Sequence, residues 1–238
     1  RTGVRNQSAG WLVLSHLEKV RDLPTEARGR VIASFFDVHT VRGQCTDMNR
    51  FHRWYCRSGR WKRKIQDEIL PWTLRDVELR DSVLEIGPGP GVTTDWLRNR
   101  VKNMECLEID PALAGSLGHR LLNTNVRVQR GDATAMPYID GSFSAVVSFT
   151  VLHHVPSFIL QNQVFAEAHR VLRPGGIFAG VDSLPSTLMR IIHLGDTMIL
   201  VDPATLDRRL RAAGFTSIRI ELGAGRCRFS ARRPYPTN

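Results

Sequence analysis

From residue 82 onward the chain alternates short apolar runs with stretches whose apolar positions recur every three to four residues. The runs Ser82–Ile86, Met104–Ile109, Val126–Arg130, Ser144–Phe149, Ile177–Val181, Ser217–Leu222 and Arg226–Ala231 have the length and side-chain type of strands. The stretches Gly91–Asn99, Pro111–Leu122, Leu160–Leu172 and Pro203–Ala213 carry helical spacing. Strands that alternate with crossover helices predict an α/β fold, a doubly wound and mostly parallel sheet covered on both faces. Only Gly223-Ala224-Gly225 separates the last two strands, so these two form an antiparallel hairpin.

Before residue 82 the pattern is helical. Two patches, Ala9–Val20 and Glu26–Val38, flank Asp22-Leu23-Pro24, and Met48 opens a segment of different composition. Phe51, Trp54, Tyr55, Trp61, Ile65 and Ile69 recur at helical spacing, with a break at Ser58-Gly59 and a stop at Pro71. The expected organisation is an N-terminal helical extension over 1–47, dispensable for the domain that follows, with Met48 a candidate natural start. A helical segment over 48–75 and an α/β domain over 76–238 follow.

A chain of 238 residues, 42% hydrophobic and 24% charged, suits one globular α/β domain with an appendage. No apolar run reaches the roughly 20 residues needed to span a bilayer. The four cysteines stand far apart without a CxxC, which disfavours disulfides and zinc and makes a reducing cytoplasm the default expectation. No metal is expected. The net charge of +10 is uneven: residues 48–75 and 205–238 each carry +6, whereas 76–204 carry −4. Solvated surface is the ordinary reading of such basic flanks.

Candidate chemistry begins at Val83-Leu84-Glu85-Ile86-Gly87-Pro88-Gly89-Pro90-Gly91. A buried strand runs into a glycine-rich turn and then a helix, whose first N–H groups are free to meet a ligand. Val92 replaces the third glycine of the dinucleotide fingerprint G-x-G-x-x-G. Glu108 ends the second strand, where a carboxylate can accept both hydroxyls of a ribose. Asp110-Pro111 then caps the next helix. Asp132 and Ala133 follow the third strand, where a carboxylate and an N–H can read an adenine edge. Each feature alone also fits a plain turn; three successive strand ends of this kind point to an adenosine ligand.

The segments VLEIGPGPG (83–91), LEIDP (107–111), GDATAMPYIDGSFSAVV (131–147), VLHHV (151–155), RVLRPGG (170–176) and LRAAGF (210–215) together resemble the class I S-adenosylmethionine-dependent methyltransferases, in particular their small-molecule, ubiquinone/menaquinone-type branch. The resemblance covers about residues 75–233. It implies a seven-stranded sheet of order 3-2-1-4-5-7-6 with one antiparallel strand, and S-adenosylmethionine as cofactor. It also implies that Gly87, Gly89 and Gly91, with Pro88 among them, line the methionine portion and that Glu85 faces its amino-acid end. Glu108, with Ile109 beside it, holds the ribose, Asp132 with Ala133 reads the adenine, and Phe149 borders the methyl site. Many relatives have a small or polar residue at that last position, and the aromatic departs from their pattern. Arg173-Pro174-Gly175-Gly176 reads as a turn into the fifth strand.

Methyl transfer from a sulfonium needs mainly alignment and exclusion of water. A general base is required only when the acceptor must lose a proton. His153 and His154 after the fourth strand and Asp182 at the end of the fifth are candidates, with His193 and Asp196 beyond; packing or helix capping is the plain alternative. The basic and aromatic stretch 50–64 reads as a helical lid over the cofactor and acceptor, as a membrane-surface helix presenting a lipid-like acceptor, or as an RNA contact. No RNA-binding module accompanies it, and the lid accounts best for its aromatic face. The expected partner is a small-molecule or lipid-like methyl acceptor, with peripheral membrane contact compatible and nucleic acid disfavoured. Two other classes compete, a cofactor-binding protein without catalysis and a nicotinamide-dependent oxidoreductase.

Overall fold

The computed structural model describes residues 58–186 and 198–236. The expected N-terminal extension, Trp54, His193 and Asp196 lie outside the described residues. Seven strands, β1 (Ser82–Ile86), β2 (Asn103–Glu108), β3 (Val126–Arg130), β4 (Phe143–Phe149), β5 (Leu172–Ser183), β6 (Thr216–Gly223) and β7 (Arg226–Arg232), form one sheet of order β3-β2-β1-β4-β5-β7-β6. All neighbouring pairs are parallel except those made by β7, which runs antiparallel between β5 and β6. The parallel strands therefore share one carboxyl edge, where an open α/β sheet places its ligands.

Helices cover both faces. On one face β1, β4, β5 and β7 send Leu84, Ile86, Val146, Phe178 and Phe229 into a core closed by Val164, Phe165 and Ala168 of one helix and Leu206 and Leu210 of another. On the opposite face Val83, Met104, Ala145, Val147 and Ile177 meet Leu97, Leu117, Ile65, Ile69 and Leu70. The strand alternation expected from the sequence is what divides these side chains between two layers.

The segment before the sheet is helical from Gly59 to Leu74: α1 (Gly59–Arg63), a π-helical stretch (Lys64–Ile69) and α2 (Leu70–Leu74). Ser58 caps it by accepting the Trp61 N–H at 3.1 Å. Pro71 does not end this helix. It has no N–H to give, and the preceding turn widens so that the Leu70 N–H reaches the Ile65 carbonyl.

Over its described part, the segment expected to form a lid packs on the sheet. Ile65, Ile69 and Leu70 are buried in the sheet's own core. Arg228 of β7 donates to the Trp72 carbonyl at 2.8 Å and to Asp76 at 3.1 Å, pinning the end of the helix to the sheet. Helix 59–74 thus contributes side chains to the core on this face of the sheet. Ile65→Ala should lower stability by about 2–5 kcal/mol, the cost of truncating a buried isoleucine. A thermal melt checks this; an unchanged melting temperature would show that the burial of Ile65 adds nothing to stability.

The remaining helices are α3 (Val92–Leu97), α4 (Pro111–Arg120), α5 (Phe158–Val171) and α6 (Pro203–Ala212), with a short 3-10 turn at Leu152–His154. The expected turn at 173–176 is a bulge inside β5. Helix α5 passes directly into the strand, where Leu172 pairs with Phe143 and Ile177 with Ala145. Pro174 cannot donate to a ladder, so the extra residues loop out of register there.

Candidate cofactor cleft and histidine–aspartate pair

The turn joining β1 to α3 is built on Gly87, Gly89 and Gly91, with φ of 63°, 55° and 85°. Gly91 is hemmed in, since a Cβ there would strike Leu117 and the Arg120 guanidinium. Arg120 grips the turn from outside, donating to both Asp95 oxygens at 2.8 and 2.9 Å and to the Pro90 carbonyl at 3.2 Å. Gly89 is the opposite case, for a Cβ built on it meets no protein atom within 4 Å. The middle of the turn therefore faces open space, and only a residue tolerant of positive φ holds it there.

Glu108 closes β2 beside this space. Its carboxylate is 5% exposed and accepts the Gly89 N–H at 2.9 Å and the Asp110 N–H at 3.0 Å. Burial pushes its pKa up, and the Asp110 and Gly89 N–H bonds pull it back. A carboxylate offers about four acceptor directions, so this one retains capacity for a diol. Asp110 serves a different end, accepting the Ala112 and Leu113 N–H groups at 2.7 and 3.1 Å as the cap of α4. The two carboxylates part company because the strand stops at Glu108.

The Gly131 N–H donates to the Glu108 carbonyl at 2.9 Å, which sets the end of β3 beside that of β2. Asp132 folds back to accept the Thr134 N–H at 2.8 Å, the contact of a tight turn. Ala133 is half-buried against the core, and Ile109 is 46% exposed at the neighbouring strand end. Gly87, Pro88, Gly89, Gly91, Glu108, Ile109, Asp132 and Ala133 therefore gather at the carboxyl edge of three adjacent strands.

Two further expected site residues are buried. The Glu85 side chain shares the face of Val83 and points beneath α3. It is 1% exposed and accepts from the hydroxyls of Thr93 and Thr94, the latter at 2.6 Å, with the Cys106 thiol at 3.6 Å. Burial raises its pKa to about 7, against the lowering effect of the two threonine hydroxyls. Phe149, 4% exposed, packs in the apolar layer that contains Ile65 and Val181. The next residue, Thr150, takes φ 57°, rare for a β-branched side chain, and carries the chain across the sheet edge. Val151 then lands where a Gly87 Cβ would be.

His153 and Asp182, named separately from the sequence, form a buried pair. His153 Nδ1 lies 2.6 Å from Asp182 Oδ1, and both side chains are 3% exposed. Asp182 also accepts the backbone N–H of His153 at 3.3 Å and of Ser183 at 2.7 Å. A carboxylate so held fixes the imidazole's orientation. The His154 ring lies against that of His153, centroids 4.1 Å apart. Gln161 donates to the carbonyls of Leu152 and Ile199 at 2.9 and 2.7 Å, so these strand ends are tied to the segment that follows residue 198. Among the described residues no cluster of His, Cys, Asp and Glu has the makings of a metal site, and no helix is long and apolar enough to cross a membrane.

The sequence reading did not single out Thr93, Thr94, Arg120 or Val151. The threonine pair directly after a glycine turn was its only visible hint. The contacts themselves join β1 to α3 and α4 to the turn, across 8 to 30 residues.

Residues 84–180 match the family described as "Methyltransferase domain". An uncharacterized methyltransferase of Synechocystis sp. is 32% identical over 153 residues, spanning 60% of this chain and 70% of the relative. This chain belongs to the methyltransferases. A probable S-adenosylmethionine-dependent methyltransferase of Mycolicibacterium smegmatis is 30% identical over 161 residues, 63% of this methyltransferase chain and 59% of the relative's length. The solved S-adenosylmethionine dependent methyltransferase of Mesorhizobium loti superposes with a TM-score of 0.60 at 17% identity, covering 71% of this chain and all of that one, a likeness of fold. Relatives differ in the acceptor their names carry. A phthiotriol/phenolphthiotriol dimycocerosates methyltransferase of Mycobacterium tuberculosis is 33% identical over 44% of the chain and 38% of its own length. A probable ribosomal RNA small subunit methyltransferase A of Thermococcus onnurineus is 38% identical over 35% of the chain and 31% of its own.

Proposed function

We propose that this methyltransferase binds S-adenosylmethionine at the carboxyl edge of β1, β2 and β3 and passes its methyl group to a small, lipid-like acceptor. One observation carries the cofactor reading: the buried Glu108 carboxylate is bonded to the N–H of Gly89, whose other side is open. Those residues fit an adenosyl sulfonium. Gly87, Gly89 and Gly91 cradle its amino-acid chain, Glu108 accepts its ribose hydroxyls, Ile109 covers the adenine, and Asp132 with Ala133 meets the adenine edge. When bound, S-adenosylmethionine supplies an electrophilic methyl group whose departure leaves a neutral thioether.

The chain's own task is alignment and the exclusion of water. Where the acceptor's nucleophile carries a proton, His153 is the base we assign, a reading supported by the contact of its ring with Asp182. A lipid-like acceptor is favoured by Phe158 and Ile159, which are 51% and 61% exposed at the start of α5, on the same edge. Membership of the ubiquinone/menaquinone-type branch is part of the same proposal.

Calorimetric titration with S-adenosylmethionine and with NADH tests the cofactor, and only the first is expected to bind. Formation of S-adenosylhomocysteine over a panel of quinols, phenolic lipids and water-soluble phenols tests the acceptor. Turnover confined to the water-soluble phenols would remove the lipid reading. Binding without turnover on any acceptor would favour a cofactor-binding protein.

A further inference from the structure

Glu85 and Glu108 bracket the glycine turn from two sides, and both are buried. Glu108 holds the turn's middle through the Gly89 N–H. Glu85 holds the start of α3 through Thr93 and Thr94. Among the described residues neither carboxylate makes an ion pair. The groups that face Glu85 are the Thr93 and Thr94 hydroxyls from α3, the Cys106 thiol from β2 and, further along β2, Glu108. Val147 of β4 lies opposite it in the ladder, and the helical layer 59–74 brings the apolar Ile65 and Ile69 to the same core. The thiol is itself pushed far up by burial, so it stays neutral. Buried charge is ordinarily paired, because an unpaired one loses its hydration with nothing in return.

Resting on the cofactor reading above, we propose that Glu85 is the residue by which this site tells a cationic sulfonium from the neutral thioether left after transfer. In this scheme Glu85 releases its proton to solvent as the cation enters the turn, and takes one back from solvent once the positive charge has gone. Its position suits the task, since it sits behind the turn and away from water, where a charge arriving in front is felt through protein. The threonine hydroxyls suit it too. They stabilise the carboxylate when it forms, and either can turn to accept when the acid is neutral. With its pKa raised to about 7 by burial, the free protein holds a mixture of both forms near neutral pH. Glu85 is thus a specificity-determining residue acting through the turn, without contact to the reacting atoms.

The sign follows from linkage. A bound cation lowers the Glu85 pKa, so affinity for the sulfonium should rise with pH and level off above about 7. The rise is at most about tenfold per pH unit. Affinity for the thioether should change much less. Calorimetry of S-adenosylmethionine and S-adenosylhomocysteine in phosphate and in Tris, whose ionisation heats differ, counts the protons released on binding. The ligands' own amino groups also titrate, so each titration is repeated with Glu85→Gln, and the difference isolates Glu85. We expect an excess proton release with the sulfonium, lost in Glu85→Gln together with several-fold of the preference for sulfonium over thioether. Should Glu85→Gln fail to fold, Thr94→Val serves instead: removing a hydroxyl that stabilises the carboxylate should move the release to higher pH. Equal release with both ligands, or release that Glu85→Gln retains or Thr94→Val leaves unmoved, overturns the proposal and leaves the cofactor reading standing. Failure of both ligands to bind overturns both.

Discussion

Replacing Gly89 with arginine is expected to abolish S-adenosylmethionine and S-adenosylhomocysteine binding while the protein still folds. The side chain would project into the open space in front of the turn, since a Cβ there meets no protein atom within 4 Å. No core contact is broken. The backbone at φ 55° penalises a residue with a Cβ by roughly 1–2 kcal/mol. For a chain of this size that corresponds to a fall of about 2–8 °C in melting temperature. Binding, by contrast, should weaken by more than about a hundredfold, a loss of roughly 3 kcal/mol or more. Calorimetry and a thermal melt on the same sample separate the two effects. Undiminished binding would remove the turn from the cofactor site. Gly91→Arg is the contrasting case, because its Cβ would run into Leu117 and Arg120, and there the fold itself should suffer.

The second large effect is expected at the end of β2. Glu108→Ala removes an ionised acceptor from the proposed ribose site and leaves the Gly89 N–H without its partner. Hydrogen bonds to a charged group contribute about 1.5–3 kcal/mol, so affinity should fall roughly tenfold to a hundredfold or somewhat more. Asp110→Ala is the control, two residues away. It removes the cap that receives the Ala112 and Leu113 N–H groups, which should cost about 1 kcal/mol of stability and leave cofactor affinity nearly unchanged. If Asp110→Ala is the variant that loses binding, the assignment of the two carboxylates is reversed.

Much of the fold was legible along the chain because its signals are local. Each strand declared itself as a short apolar run between turn residues. The hairpin of β6 and β7 followed from a three-residue connection, and the order of the sheet from the resemblance carried by motifs such as VLEIGPGPG and RVLRPGG. The cleft was legible for the same reason: Gly89, Glu108 and Asp132 each stand at the end of a strand, and parallel strands bring their ends to one edge. The limits of α3 and the continuation of the helix past Pro71 were less so, since a six-residue helix and a widened turn leave little periodicity to read.

The tertiary structure decided what each side chain meets. Glu85 was visible as an acid beside a glycine turn, but its burial depends on α3 folding back to bring Thr93 and Thr94 over it. Phe149 was visible at a strand end, but its packing in the layer that holds Ile65 and Val181 was not. The helix over 59–74 reads as an amphipathic cover in any window of the sequence. What such a helix packs against depends on Arg228, more than 150 residues away, and on the core it joins. His153 and Asp182 likewise become a pair only because β4 and β5 lie side by side and Thr150 turns the chain across their ends. Sequence periodicity specifies which face of an element is apolar and where it ends. Partners separated by tens of residues are chosen by packing, in which strand order, helix placement and the exclusion of water act together.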